Sequence, residues 1–390
     1  MVWQMIFWIC VFFLAHTYVF YPVLLRLLTG KRSLQKHAIP EAELPKVSML
    51  LSVYNEEAII EKKLRSVCDT TYPLDKLELL VGSDGSTDAT DSIIQKLIVE
   101  GLPIRFTNFG GRNGKSNILN ALAPQATGEI LLLTDANILF DRQTIPHIVR
   151  HFADPQIGLV SANILNSGMR KDGISFQEQA YIQRENLMKY REGVIWGATM
   201  GAFVACYDVR NKLFIAIPRN FLIEDFYITM HVIREKYAAI CDLDAHAYED
   251  VSNLVHEEFK RKIRISAGNF QNLGVFYPML GNMFSGKGFA FLSHKVLRWL
   301  GPFFLIIALI SSAIAGMQNL FYCVLFFVQL AGMLSPLIDK VLAKVNMHNF
   351  VLRLIAYFYL MNLALFLGFI KYAGGIRTNA WSPTKRNLEN

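Results

Sequence analysis

Cysteine is scarce and unpatterned in this chain. Cys10, Cys68, Cys206, Cys241 and Cys323 stand far apart, with no CxxC pair among them. Neither a disulfide framework nor a zinc site follows from such spacing. Internal repeats and low-complexity tracts are missing too. So is a basic surface interleaved with aromatics, which argues against nucleic acid as a partner despite a net charge of +7. Charge is absent from whole segments: residues 2–25 and 299–338 carry none, and residues 350–370 carry only Arg353. His147 and His151 lie four apart but without the glutamate of HExxH, and they read as an exposed helix face.

Those uncharged runs are the first positive signal. Hydrophobic residues make up 53% of the 390, and mean hydropathy is +0.29. The apolar excess lies at the two ends. Residues 2–25 are long enough to span a bilayer; without a basic segment before them, and with so long an apolar core, they do not read as a cleaved signal peptide. Residues 299–338 suffice for two crossings with a hairpin at 316–319, and residues 350–370 form another, joined to the previous one by 339–349. Four membrane helices are therefore expected. Lys31, Arg32, Lys36, Lys295, Arg298, Lys340 and Lys344 fall on one side if residues 30 to 295 are cytosolic. The tail with Arg377, Lys385 and Arg386 would then lie outside, against that trend. The basic balance fits contact with anionic headgroups.

Between the apolar ends lie about 260 residues, whose first half alternates strand and helix while the second is less regular: 47–53 then 56–68, 77–81 then 87–98, 104–107 then 115–123, 130–133 then 143–152. Such alternation predicts a mostly parallel sheet with helices on both faces. Three of the strands end in polar loops: Tyr54-Asn55-Glu56-Glu57, Ser83-Asp84-Gly85-Ser86-Thr87-Asp88, and Thr134-Asp135-Ala136-Asn137. Open α/β sheets bind nucleotides at the carboxyl ends of their strands. Glu57 reads as a favourable charge at a helix start, and Asp88 is shared between that reading and a ligand role. Gly110-Gly111-Arg112-Asn113-Gly114-Lys115-Ser116 is one residue short of a P-loop, because Phe109 stands where GxxxxGK[ST] needs glycine. Its Arg112 and Lys115 could still neutralise a diphosphate.

Tyr54-Asn55-Glu56, Ser83–Ser86-Thr87-Asp88, Asp135-Ala136-Asn137 and Glu224-Asp225, in that order, resemble a membrane-bound family-2 glycosyltransferase of the GT-A fold. This is the group of the cellulose, chitin, hyaluronan and poly-N-acetylglucosamine synthases. The resemblance covers roughly residues 45 to 300. It implies a GT-A domain at 45–258, preceded by a membrane helix at 1–28. A membrane-interface segment at 259–296, about three further helices at 297–372 and a tail at 373–390 would follow.

The resemblance also implies roles. Tyr54, Asn55, Glu56 and Asp84 would hold the nucleoside, Asp84 accepting from an imino N–H. Lys115 and Asp135 would complete the nucleotide site. Asp135 and Asn137 would hold Mg²⁺ or Mn²⁺ through oxygen, although the family pattern has Asp where Asn137 stands. Asp225 would be the general base of an inverting transfer, with Ile223 where Thr often precedes the Glu-Asp pair. As an alternative, Asp225 reads as the N-cap of a helix at 226–235. Glu224 and Trp196, with the glycines around Gly201, would lie toward the acceptor.

Processive relatives carry Gln-x-x-Arg-Trp some 35 to 40 residues after the base. Here Arg261 and Arg264 remain for the leaving diphosphate, but Gln and Trp are missing and Ile265 takes the aromatic position. Interleaved with Phe259, Ile263 and Ile265, the run from Lys260 to Arg264 also suits a headgroup surface.

The expected activity is transfer of a sugar from a UDP-sugar to a growing cell-surface glycan at the plasma membrane. A single addition to a polyprenyl-phosphate or lipid acceptor is the alternative, and a nucleotide-sensing transport subunit is a third reading. Spans nearly free of ionisable groups argue against ion-coupled transport. The expected partners are a nucleotide-sugar donor, a glycan or lipid-linked acceptor and membrane lipids. Four helices are few to enclose a polymer channel, so an export partner or a homo-oligomer stays open.

Overall fold

The computed structural model describes residues 1–167, 175–202, 206–250, 255–345, 347 and 349–376; the basic tail with Arg377, Lys385 and Arg386 lies outside them. Two compact units emerge.

One unit, residues 28–255, is built on an eight-stranded sheet. Its strands are β1 Val47–Val53, β2 Leu77–Ser83, β3 Ile104–Asn108, β4 Ile130–Thr134, β5 Ile138–Phe140, β6 Ile157–Ser167, β7 Cys206–Arg210 and β8 Ala238–Asp250. Their order is β3-β2-β1-β4-β7-β6-β8-β5. The half formed by β3, β2, β1 and β4 is parallel throughout. Beyond it the sheet is mixed, since β7 runs antiparallel to both β4 and β6, and β5 antiparallel to β8.

Every residue of β1, β2 and β4 is buried, as continuous apolar runs between two helical layers require. Because these three strands are parallel neighbours, Tyr54, Asp84 and Asp135 emerge at one edge of the sheet. The Asp84 N–H even donates to the Val53 carbonyl at 2.9 Å.

Helices begin later than the sequence pattern predicts. The first runs Ile60–Cys68 and the second Thr90–Val99, because residues 54–59 and 84–89 are taken up by loop structure. The helix expected at 143–152 divides into Thr144–Val149 and a tighter turn Arg150–Ala153. Helix Glu224–Arg234 starts earlier than 226; its N-cap is Ile223, so Asp225 lies within the first turn and is not the cap.

The other unit comprises Met1–Leu27 and His256–Gly375. Among the described residues, three stretches are long and apolar enough to cross a membrane: Val2–Thr29, Leu320–Leu342 and Phe350–Ala373. A fourth crossing exists if Gly286–Trp299 and Gly301–Gly316, bent by 60° at Leu300, make one span. The turn between Gly316 and Leu320 falls at the expected hairpin. Phe13 stacks on Phe304 with centroids 5.2 Å apart, and Trp8 Nε1 donates to the Tyr322 hydroxyl at 3.1 Å. Gln329 donates to Ser312 Oγ at 2.9 Å, a polar link of the kind that joins helices where water is absent.

Candidate active site

The loops after β1 and β2 are tied to each other before any ligand is considered. Asn55 adopts a left-handed backbone, φ 52°, that asparagine tolerates better than most residues. Its Oδ1 accepts from the Thr87 N–H at 2.8 Å, and its own N–H donates to Ser86 Oγ at 3.2 Å. Glu56 is buried, with its N–H donating to Thr90 Oγ1 at 2.8 Å. Glu57 and Asp88 cap each other's loops: Glu57 N–H donates to Asp88 at 3.1 Å, and Ala89 N–H donates to Glu57 at 2.9 Å. Both acids thus serve the starts of helices.

Asp84 is buried and gathers the glycine-rich loop. Its two oxygens accept from the Asn113 N–H at 2.5 Å and the Gly114 N–H at 3.0 Å. Gly85, at φ +74°, lies so close to Gly111 that a Cβ would fall 2.6 Å from its carbonyl oxygen. Only glycine fits there. Two N–H groups that a P-loop would aim at phosphate are spent on Asp84. Arg112, 3.6 Å from Asp84 through Nε, lays its guanidinium over the Tyr54 ring at 3.3 Å.

Beside this cluster lies a second one, of charge. Lys115 opens helix Lys115–Leu122, and its Nζ is 2.6 Å from Asp135 Oδ1 and 2.5 Å from Glu224 Oε1. Burial alone would depress the ammonium; Asp135 and Glu224 outweigh it and raise the pKa. Asp225 is only 5% exposed. Burial, and next the Glu224 carboxylate, push its pKa up to about 7, against opposing pulls from the Phe226 N–H, Lys189 and Lys115. Gly201, at φ +81°, packs under Phe226, where a Cβ would meet the ring at 2.5 Å. That contact fixes the first turn carrying Asp225.

The loop after β4 is held from behind. Lys63 is fully buried; its Nζ donates to Thr134 Oγ1 at 2.9 Å and to the Ile138 carbonyl at 2.6 Å, and stands 3.7 Å over the Phe140 ring. It brackets Asp135-Ala136-Asn137 on both sides. Burial pushes its pKa down to about 7, with Cys206 and Asp135 pulling the other way. The Asn137 amide donates to Glu249 at 3.5 Å. Among the described residues no group of three or more His, Cys, Asp or Glu side chains is arranged to hold a metal. Asp135 and Asn137 offer two hard oxygen donors, which suits an ion whose other ligands come from a diphosphate.

Trp196 ends helix Ser175–Trp196, half-buried, just before Gly197 at φ +59°. Arg261 and Arg264 lie on helix Val255–Phe276 in the other unit, where Arg261 pairs with Glu258 at 2.9 Å. The reading of His147 and His151 as an exposed face is overturned. His151 is fully buried, its Nε2 2.7 Å from Asp242 Oδ2, and His147 Nδ1 lies 2.9 Å from the Asp244 carbonyl. β8 runs alongside this helix and supplies both partners.

Sequence reasoning missed Lys63. A signal existed, since it falls on the buried stripe Ile60-Leu64-Val67 of its helix.

Residues 48–214 match Glycosyl transferase family 2. The β-monoglucosyldiacylglycerol synthase of Synechocystis is 29% identical over 169 residues, covering 41% of this chain and 35% of that one. The poly-β-1,6-N-acetyl-D-glucosamine synthase of Staphylococcus aureus is 33% identical over 122 residues, covering 31% of this chain and 29% of that one. The matched region thus spans about a third of these curated relatives. A mannosyltransferase of Pyrobaculum calidifontis, solved with GDP-Man and Mn²⁺, superposes with a TM-score of 0.70 at 20% identity, over 94% of this chain and 99% of that one. The fold is therefore shared across nearly the whole chain. With its parallel half-sheet, the polar loops at its strand ends and this match, the region 48–214 is a domain of Glycosyl transferase family 2.

Proposed function

We propose that the chain is an inverting glycosyltransferase that moves a sugar from a UDP-sugar to an acceptor hydroxyl at a membrane surface. The observation that carries this reading is the buried pair Glu224-Asp225 facing Lys115 and Asp135 at the strand edge. Asp225 Oδ1 takes the proton of the acceptor hydroxyl as that oxygen attacks the anomeric carbon. The bond from that carbon to the diphosphate oxygen breaks on the opposite face, and UDP leaves with the electron pair. Lys115 supplies fixed positive charge beside the leaving group, already oriented by two carboxylates. Tyr54, Asn55, Glu56 and Asp84 hold the nucleoside. Each Asp84 oxygen keeps a lone pair beyond its loop hydrogen bond, enough to accept from a base N–H. Mg²⁺ or Mn²⁺ held by Asp135 and Asn137 would offset diphosphate charge.

Two acceptor classes compete. A growing glycan fits the relative named as a poly-N-acetylglucosamine synthase. Single addition to a lipid fits the relative named as a monoglucosyldiacylglycerol synthase, and Ile265 in place of an aromatic favours it.

The test is a donor screen on the purified full chain in nanodiscs, reading free UDP and product size together. We expect acceptor-dependent UDP release. Asp225→Asn should retain UDP-sugar binding and lose transfer by ~10²–10⁴-fold. No UDP release with any donor, or unchanged turnover in the Asn variant, would overturn the reading.

A further inference from the structure

Tyr207 is 1% exposed, and its phenolic oxygen has no hydrogen-bond partner among the described residues. Buried polar atoms are nearly always satisfied, so an orphan hydroxyl at a functional edge asks for a ligand. The register shows where it points. In β7, Tyr207 sits opposite Leu133 of β4, while Cys206 sits opposite Thr134. Side chains alternate along a strand, so Tyr207 shares the face of Leu133 and, one step past the strand end, of Asp135. Cys206 and Thr134 take the other face, where Lys63 lies. Glu224, Asp225 and Asp135 all act electrostatically on the Tyr207 phenol, which burial first and these carboxylates next hold protonated. It is therefore a donor without an acceptor. Asp225 Oδ1 is a second orphan in the same cluster.

We propose that Tyr207 contacts the transferred sugar, its phenol donating a hydrogen bond to a hydroxyl oxygen of the donor's hexosyl group. This rests on the glycosyltransfer reading above. The phenol lies among three carboxylates, two of them paired with Lys115, and a neutral sugar hydroxyl accepts from Tyr207 without bringing further negative charge to that cluster. Donation to the attacking hydroxyl would oppose the base, since it draws electron density from the nucleophile. That leaves the sugar bound next to the diphosphate. Phenylalanine would fill the same space without leaving an orphan atom, so packing does not account for the oxygen.

Purified full-length wild type and Tyr207→Phe, in nanodiscs, would be titrated by calorimetry with UDP, UDP-glucose and UDP-N-acetylglucosamine. The expected result is UDP affinity unchanged within twofold and affinity for the bound UDP-sugar lowered about tenfold, the worth of one such hydrogen bond. Transfer with that donor should fall with it. Parallel weakening of UDP and UDP-sugar, a loss of all binding, or an unchanged preference between them would each overturn the assignment. Wild type that binds UDP-sugar while the variant keeps its preference defeats the Tyr207 role alone. Wild type that binds neither UDP nor any UDP-sugar defeats the glycosyltransfer reading, and this inference with it.

Discussion

Asp225 gains its character from its surroundings. Burial excludes water and adjacent Glu224 adds a like charge, so its pKa is pushed up to about 7. As the proposed base it must be ionised to act. Transfer should therefore rise with pH through about 7 and level off above it. Replacing Glu224 by Gln removes the like charge and should move that rise to lower pH. A kcat–pH profile of wild type and Glu224→Gln checks both statements; a flat wild-type profile between pH 5 and 8 would exclude Asp225 as the titrating group. The Glu-Asp pair is legible in the sequence. Its raised pKa is not, because burial depends on chain segments far away.

Between helix Ile60–Cys68 and the end of β4, one lysine joins two elements separated by some 70 residues. Lys63 binds both flanks of the Asp135-Ala136-Asn137 loop and offers it no direct ligand. Its place on both flanks of the loop makes it a positioning residue for Asp135 and Asn137. Lys63→Met keeps the length and apolar stem of the side chain and removes both hydrogen bonds. We expect this variant to need several-fold more Mn²⁺ for half-maximal transfer, and to bind Mn²⁺ correspondingly more weakly by electron paramagnetic resonance in the presence of UDP. UDP-sugar specificity should not change. Identical metal curves for variant and wild type would show that the clamp serves packing alone. The amphipathic pattern placed Lys63 among Ile60, Leu64 and Val67, yet the hydroxyl and carbonyl that accept from it come from β4 and β5. Helix starts differ from expectation for a related reason: residues 56–59 and 87–89 are expected within helices, but cross-loop bonds such as that from the Thr87 N–H to Asn55 Oδ1 hold them in loops.

The whole molecule joins a family-2 glycosyltransferase domain to a unit of apolar helices. Val2–Thr29, Leu320–Leu342 and Phe350–Ala373 are each at least 23 residues long, above the ~20 that a bilayer core requires. Phe327, Val328 and Leu337 are among the large side chains they leave exposed. In water that would be a liability; against lipid it is the expected surface. The chain should accordingly stay in the membrane pellet through an alkaline carbonate wash and leave it only with detergent. Release by carbonate alone would mean that the helices do not span.

The sequence by itself determined the long apolar runs, since bilayer thickness is a length criterion that an uncharged run either meets or fails; that the run from 301 to 316 reaches this length only together with the bent helix before it was decided by the tertiary structure. It also determined β1 to β4, four of the eight strands, and the polar loops that end three of them, because period and composition are local properties. Tertiary structure decided what those loops touch. Asp84 closes on the backbone of Asn113 and Gly114, Lys115 bridges Asp135 and Glu224, His151 is buried on Asp242, and Tyr207 is turned toward the carboxylates by its register with Leu133. The order β3-β2-β1-β4-β7-β6-β8-β5 sets these meetings. A strand's neighbours are fixed by how the sheet is wound, and no stretch of residues carries that information alone.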